Sequence, residues 1–468
     1  MNEDRSGRRT ARSRVATALA VVAMAVAACF PVAAAPTSSP GGTGVASHPV
    51  GSQVAAASPS VAAVTIAPTG GLPAAPQVPV ASNAPLPSVP AGSIAPTSPQ
   101  AVPVVVDPAV LERALKTRLD QARAKAGIPG VSVTILWPDG RSWTGTSGLA
   151  DVGHKLPVTA DTGFALASVS KTFTAALVMR LVEQGRLKLT DPVATLLPGR
   201  KLDPRITVRM LLDHTSGLAD FFRNGTIDPP LQRHKDATWT PDQALSYVGK
   251  PAFPPGRGWY YSNTNYLLLG LVVEQVTGRP LADEIRGELL GPLGLHNTWY
   301  QSVEPPIVVP AHGYRLVRTS SKLRPIDVTG TSEVVPFRSV VTAAGGAGSI
   351  ASTSGDAANW IRALGQGEVV APSTLVEMLK DVAITTRYHA RIAYGLGLQA
   401  VPVLGRPAIG HSGRFLGFRS VIRYFPNERI AIAVLTNQSG IDPMRIATPL
   451  LELALPPLPC PPSCPAHR

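Results

Sequence analysis

Cysteine is nearly missing from this 468-residue chain: there are 3, and none lies between residues 30 and 459. That excludes a catalytic thiol and a thiolate metal cluster from the body of the protein. Cys460 and Cys464 sit in a Pro-rich stretch, where an unstructured end with a local disulfide is expected rather than a metal site. Aromatics make up only 5% of the residues, and the arginines are scattered. The formal net charge of +13 therefore does not form the basic, aromatic-laced surface that nucleic acid requires. It suits anionic wall polymers or lipid headgroups better. Charge of either sign is absent from residues 36–106, which are Ala, Pro, Ser, Thr, Val and Gly with little else. Such a stretch cannot bury enough apolar surface to offset its ordering entropy, and it is expected to be a disordered linker. A Gly-x-Ser-x-Gly motif is also missing, so the nucleophile elbow of α/β-hydrolases is excluded.

Residues 1–35 have the order of an export signal. Arg5, Arg8, Arg9, Arg12 and Arg14 precede an apolar run to Cys29, and small residues follow at Ala33, Ala34 and Ala35. Three fates fit. Cys29, after Val26-Ala27-Ala28, would be lipidated; or cleavage falls near Ala34 or Ala35; or the run stays as a membrane anchor. Phe30-Pro31 weighs against lipidation. In each case the protein works outside the cytoplasm, in the cell envelope, membrane-anchored or secreted.

Residues 107–455 are expected to form one large folded unit, with a disordered tail at 456–468. Leu111, Leu115 and Leu119 recur on one face of a helix over residues 108–126, which Gly127 ends. Residues 131–136 and 142–150 have strand patterns around a Pro138-Asp139-Gly140 turn. A buried helix follows Ser168. Residues 219–258, broken by prolines, are expected to be irregular, and residues 265–278 helical. Residues 419–425 and 429–436 are β-branched runs that should pair antiparallel, and a helix is expected over 443–455. Strands from both ends with helices between them imply one sheet covered by helices.

One pair of residues draws attention within this frame. Ser168 and Lys171 form the chain's single Ser-x-x-Lys, one helical turn apart on one face. Burial lowers the pKa of a lysine, because desolvation disfavours the ammonium, and a neutral lysine activates a serine. The chain also has one Tyr-x-Asn, at Tyr261 and Asn263, and His411-Ser412-Gly413 just before the strand expected from Phe418. Each motif is weak alone; together, in this order, they are specific.

With these motifs the sequence resembles the serine β-lactamase and penicillin-binding protein superfamily. The nearest subset holds class C β-lactamases, D-Ala-D-Ala carboxypeptidases and related esterases. Residues 211–218, Gly345 to Ser349 and Tyr394 to Gly397 are similar to family segments as well. The resemblance implies a β-lactamase-like α/β (α+β) fold: an antiparallel sheet flanked by helices, an all-helical part, and the site between them. Ser168 would be the acylated nucleophile, Lys171 its base partner and Tyr261 a proton relay. Asn263 would bind Lys171 and the substrate amide. His411 would line the pocket where many relatives carry lysine, and Ser412 would contact a substrate carboxylate. The backbone N–H groups of Ser168 and Arg414 would form the oxyanion hole, with Gly413 allowing close approach. No cofactor and no metal is implied.

The sequence departs from the family in two ways. No loop matches the one that carries the deacylating glutamate of class A enzymes. With His411 in place of a lysine, a fixed charge is missing, and carboxylate binding by an imidazolium would weaken as pH rises. The implied activity is acyl-enzyme hydrolysis of a D-amino-acid peptide, such as a peptidoglycan-derived one, or of an ester. A weak β-lactamase is the alternative, and a catalytically silent wall-binding or penicillin-sensing protein is the rival from another class. His214 is expected to be structural.

Overall fold

The computed structural model describes residues 107–458, apart from 320–321, 331–332, 381–382 and 385–391. The expected signal, the linker at 36–106 and nearly all of the tail, with Cys29, Cys460 and Cys464, lie outside the described residues. Helix α1 (Pro108–Ala126) starts where the Asp107 carboxylate accepts from Ala109 N–H and Pro108 takes the first helical position. It ends at Gly127, whose φ of 64° closes the last turn in the left-handed region. Its buried Leu115 and Leu119 hold it to the sheet. Each contributes about 1.5–3 kcal/mol of burial.

That sheet has nine strands among the described residues. Strands β1 (Gly130–Leu136) and β2 (Ser142–Asp151) come from the N-terminal side. Strands β3 (Gln399–Val403), β4 (Arg406–Phe415), β5 (Phe418–Phe425) and β6 (Ile430–Thr436) come from the C-terminal side. The order β2-β1-β6-β5-β4-β3 joins the two ends, with Val131 opposite Thr436 and every neighbour antiparallel. Two-residue strands extend both edges.

Alternation sorts the sheet's side chains between two cores. Val131, Val133, Ile135, Ile432 and Val434 face α1 and the last helix, α5 (Met444–Ala454), with Ile446 and Leu450. Ala431, Ala433, Leu435 and Ile422 face the other way, into a larger core with α2 (Ser170–Glu183), α3 (Asn263–Thr277) and α4 (Ser354–Gly365). Both faces are covered, so the central strands are buried along their whole length. Polar residues on the inner face are paired: Ser132 Oγ and Thr134 Oγ1 each lie 2.8 Å from Ser354 Oγ.

The helical part holds α2, α3 and several short helices, among them Val208–Leu212, Asp228–Arg233 and Pro241–Leu245. The last two fall where irregular chain was expected. The prolines there start helices, since a proline fits the first turn. A second difference concerns His411-Ser412-Gly413. The motif was expected just before a strand, but it lies inside one, β4, whose two glycines and one proline hide the strand pattern.

Candidate active site

Ser168 sits in a tight turn, Ala167–Val169, that leads into α2. Ala167 has a φ of 51°, a left-handed conformation that costs a non-glycine residue roughly 1 kcal/mol or more. The turn is held from both sides. Leu166 N–H donates to Ile350 O at 2.9 Å, and Ser420 Oγ–H donates to Leu166 O at 2.7 Å. The serine is therefore fixed on the edge of the sheet, not presented by a regular helix.

Lys171 is fully buried beneath it. Its Nζ lies 2.7 Å from Asn263 Oδ1, 2.9 Å from Ala347 O and 3.1 Å from Ser168 Oγ. A neutral amine has two N–H donors and one lone pair. The two shorter contacts take the donors, and the lone pair then faces the serine hydroxyl. Burial pushes the lysine down to about 7, with the carboxylate of Asp220 opposing that shift. The ammonium is thus poised to lose its proton near neutral pH.

Tyr261 is buried, and its ring centroid lies 4.9 Å from Lys171 Nζ. Tyr266 covers the same ammonium at 5.5 Å. Beneath Tyr261 lies His214, with ring centroids 4.4 Å apart. His214 Nδ1 accepts from Ser262 N–H at 3.3 Å and faces Asn265 Nδ2 at 3.0 Å. Burial holds this imidazole well below its ordinary pKa, so the ring is neutral packing that grips the backbone of the Tyr-x-Asn segment.

The structure brings Ser168, Lys171, Tyr261 and Asn263 together. It places His411 differently from the expectation. The ring is fully buried; Nδ1–H donates to Ser412 O at 2.7 Å, and Nε2 accepts from Tyr394 O–H at 2.9 Å. Burial, helped by the positive charge of Lys171, keeps it well below the ordinary histidine pKa. Both nitrogens are engaged, so no imidazolium faces the pocket to take a carboxylate. Ser412 is half-buried, and its Oγ accepts from Gln399 Nε2–H at 3.2 Å. Arg414 is exposed and lines the cleft. Among the described residues, β4 has no strand opposite it on the β3 side beyond Gly410, so the edge that carries Gly413 and Arg414 runs past Ser168.

Gly413 is required by contact. A Cβ there would lie 2.2 Å from Leu166 O and 2.3 Å from Ser420 Oγ. Gly413→Ala therefore displaces the turn that carries Ser168. The expected result is a fall in acylation rate on the order of a hundredfold with the fold retained. Stopped-flow labelling beside a circular dichroism melt checks it; a normal rate would show that the close approach is dispensable.

The cleft above the serine is a cavity of about 410 Å³. Phe222, Leu231, Phe337, Val340 and Phe415 make its apolar walls, and Asp228, Gln232, Arg414 and Ser439 add polar groups. Sequence reasoning missed two parts of the site. Ala347 O, on a Gly345–Ala347 turn, is a backbone group with no residue signature. Asp220 holds Asn263 Nδ2 at 3.0 and 3.2 Å, and its signal was an acid just after the Ser216-Gly217 turn.

A family model described as beta-lactamase matches residues 115–455. Penicillin-binding protein 4 of Amycolatopsis lactamdurans is 30% identical over 336 residues, covering 68% of this chain and 84% of that protein. Esterase EstB of Burkholderia gladioli is 33% identical over 225 residues, covering 44% of this chain and 56% of the esterase. The structure of a D-amino acid amidase from Ochrobactrum anthropi SV3 with L-phenylalanine amide superposes with a TM-score of 0.65. The two chains are 28% identical, covering 74% of this chain and 98% of the amidase. The chain belongs to the beta-lactamase family and is one of its serine hydrolases.

Proposed function

We propose that this protein is an exported acyl-transferring hydrolase that cleaves D-amino-acid amides or peptides, with simple esters second and β-lactams third. The observation that carries this reading is the buried Lys171 amine, 2.7 and 2.9 Å from the acceptors Asn263 Oδ1 and Ala347 O and 3.1 Å from Ser168 Oγ. In the first step Lys171 takes the Ser168 proton as Oγ attacks the carbonyl, and a tetrahedral oxyanion forms. The backbone N–H groups of Ser168 and Arg414 stabilise it. Tyr261 passes the proton to the leaving amine or alcohol, and the C–N or C–O bond breaks. Water then attacks the acyl-enzyme by the reverse proton path, freeing the acid and Ser168. The relatives named a penicillin-binding protein, an esterase and a D-amino acid amidase support the range of substrates.

The cleft chemistry supports the order of preference. Its apolar walls suit an aliphatic or aromatic side chain, and the Asp228 carboxylate in the lining suits a free ammonium. With His411 buried, Arg414 is the cation among the described residues that line the cleft, and it is offered to a substrate carboxylate. Arg414→Ala should then raise KM for peptides ending in a free carboxylate about tenfold, while neutral amides and esters change little. Equal effects on both classes would remove Arg414 from that role. The activity itself is tested by offering a D-amino-acid amide, a D-Ala-D-Ala peptide, a p-nitrophenyl ester and a penicillin to one preparation. Turnover of the D-amide or peptide above the other two is expected; turnover confined to the ester or the penicillin would overturn the assignment.

A further inference from the structure

The polar chain that starts at Ser168 does not end at Lys171. Asn263 accepts from Lys171 on Oδ1 at 2.7 Å and turns its amide nitrogen away, donating to the Asp220 carboxylate at 3.0 and 3.2 Å. The amide can face only this way, because the amine needs an acceptor and the carboxylate a donor. The Asp220 side chain is only 4% exposed, although it sits on a loop. Burying a carboxylate is costly unless it is paired. Here the partners are the Asn263 amide and Phe222 N–H at 3.1 Å, with the exposed Arg223 guanidinium 3.9 Å away. No mechanistic step above uses this group.

We infer that Asp220 is a positioning residue for acylation: it locks Asn263 by its amide and stands as a buried counter-charge to Lys171. The inference rests on the proposed serine–lysine chemistry for its kinetic consequence, but not for its electrostatic one. Other charges near the pair do not substitute for Asp220. Lys171 is faced by the rings of Tyr261 and Tyr266, and by His214 and His411, both buried and neutral. Asp220 is faced by Asn263, Phe222 N–H and Arg223. The carboxylate favours the ammonium form of Lys171, and burial of the carboxylate raises its own pKa. The two groups thus hold one another's charge across a single amide.

The sign of the test follows. Asp220→Asn keeps an acceptor for Asn263 Nδ2–H but removes the negative charge, so Lys171 loses its proton more easily. The acid limb of kcat/KM should move down by about one pH unit, with KM little changed. Asp220→Ala removes the acceptor as well, and acylation should fall on the order of tenfold or more at every pH. A merely structural Asp220 would give the loss without the shift.

The full chain, labelled with carbon-13 at lysine Cε and aspartate Cγ, gives a second measurement that needs no turnover. The Lys171 signal, assigned by its loss in Lys171→Met, should titrate near 7 in the unaltered protein and lower in Asp220→Asn. In the unaltered protein the Asp220 signal should show the same steps as Lys171. An unmoved Lys171 midpoint in Asp220→Asn overturns the inference. If that variant does not fold, independent Asp220 and Lys171 curves in the unaltered protein overturn it instead. Coupled curves in a protein that takes no adduct at Ser168 would sustain the Asp220 inference and sink the proposed function.

Discussion

Ser168→Ala is expected to abolish covalent labelling by a fluorophosphonate or a labelled penicillin and to lower turnover on the order of a thousandfold or more. In the proposed reaction the Ser168 hydroxyl oxygen is the atom that forms the bond to the acyl group. The variant should fold. Its lost contact is a single hydrogen bond to Lys171 at 3.1 Å, the longest of the three around that amine. The neutral amine of Lys171 keeps Asn263 Oδ1 and Ala347 O for its two N–H groups, so no buried donor is stranded in that form. The stability change should be about 1 kcal/mol, a shift of a few degrees in Tm. Intact-protein mass spectrometry before and after the probe, beside a thermal melt, measures both. An adduct that persists in the variant would move the nucleophile elsewhere. Absence of an adduct in the unaltered protein would favour a silent binding protein that keeps the pocket.

Lys171→Met is the second large effect. Methionine preserves most of the buried volume, so the comparison isolates the amine. Acylation should slow on the order of a thousandfold, because the general base is gone. In the unaltered protein the rate should rise with pH through about 7, as the buried ammonium gives up its proton. The stability consequence has a definite sign. Lys171 titrates at about 7 in the fold and near its ordinary 10.5 in the unfolded chain. Between those values the unfolded chain binds the extra proton, so the unfolding free energy rises with pH across that window. Denaturant titrations at several pH values should show this rise in the unaltered protein and a flatter curve in Lys171→Met. Equal slopes would mean that the lysine remains charged in the fold.

The two variants also separate the two halves of the mechanism. A protein that labels slowly without Lys171 but not at all without Ser168 has one nucleophile and one base. Gly413→Ala and Arg414→Ala then sort the remaining contacts into backbone approach and substrate charge. Asp220 adds a third kind of control, over when the base is ready.

The elements that the sequence announced are those whose pattern is local. Helix α1 has a capping aspartate, a proline at its start, a leucine face and a glycine end. The pair β5 and β6 consists of β-branched runs around Pro426-Asn427-Glu428, and the register runs from Phe425 opposite Ile430 to Arg419 opposite Thr436. Strand β4 was hidden because Pro407, Gly410 and Gly413 are poor strand formers, and the two glycines are needed here for close contacts. The long loop was misjudged for the opposite reason: its prolines start short helices.

The sequence by itself determined which side chains are the candidates for the chemistry. Spacing puts Ser168 and Lys171 on one turn, and Tyr261 and Asn263 two residues apart, whatever surrounds them. Only the tertiary structure decided their protonation and reach, because desolvation and hydrogen-bond partners come from residues far apart in the chain. Lys171 is brought near neutrality by burial beneath Ala347 and Asn263, 176 and 92 residues away. His411 was legible as a pocket residue by position, yet Tyr394 and the Ser412 carbonyl take both of its nitrogens and leave it neutral inside. Asp220 had no motif to mark it. Its place beside the site exists only because the fold sets its carboxylate against the far side of the Asn263 amide that touches Lys171.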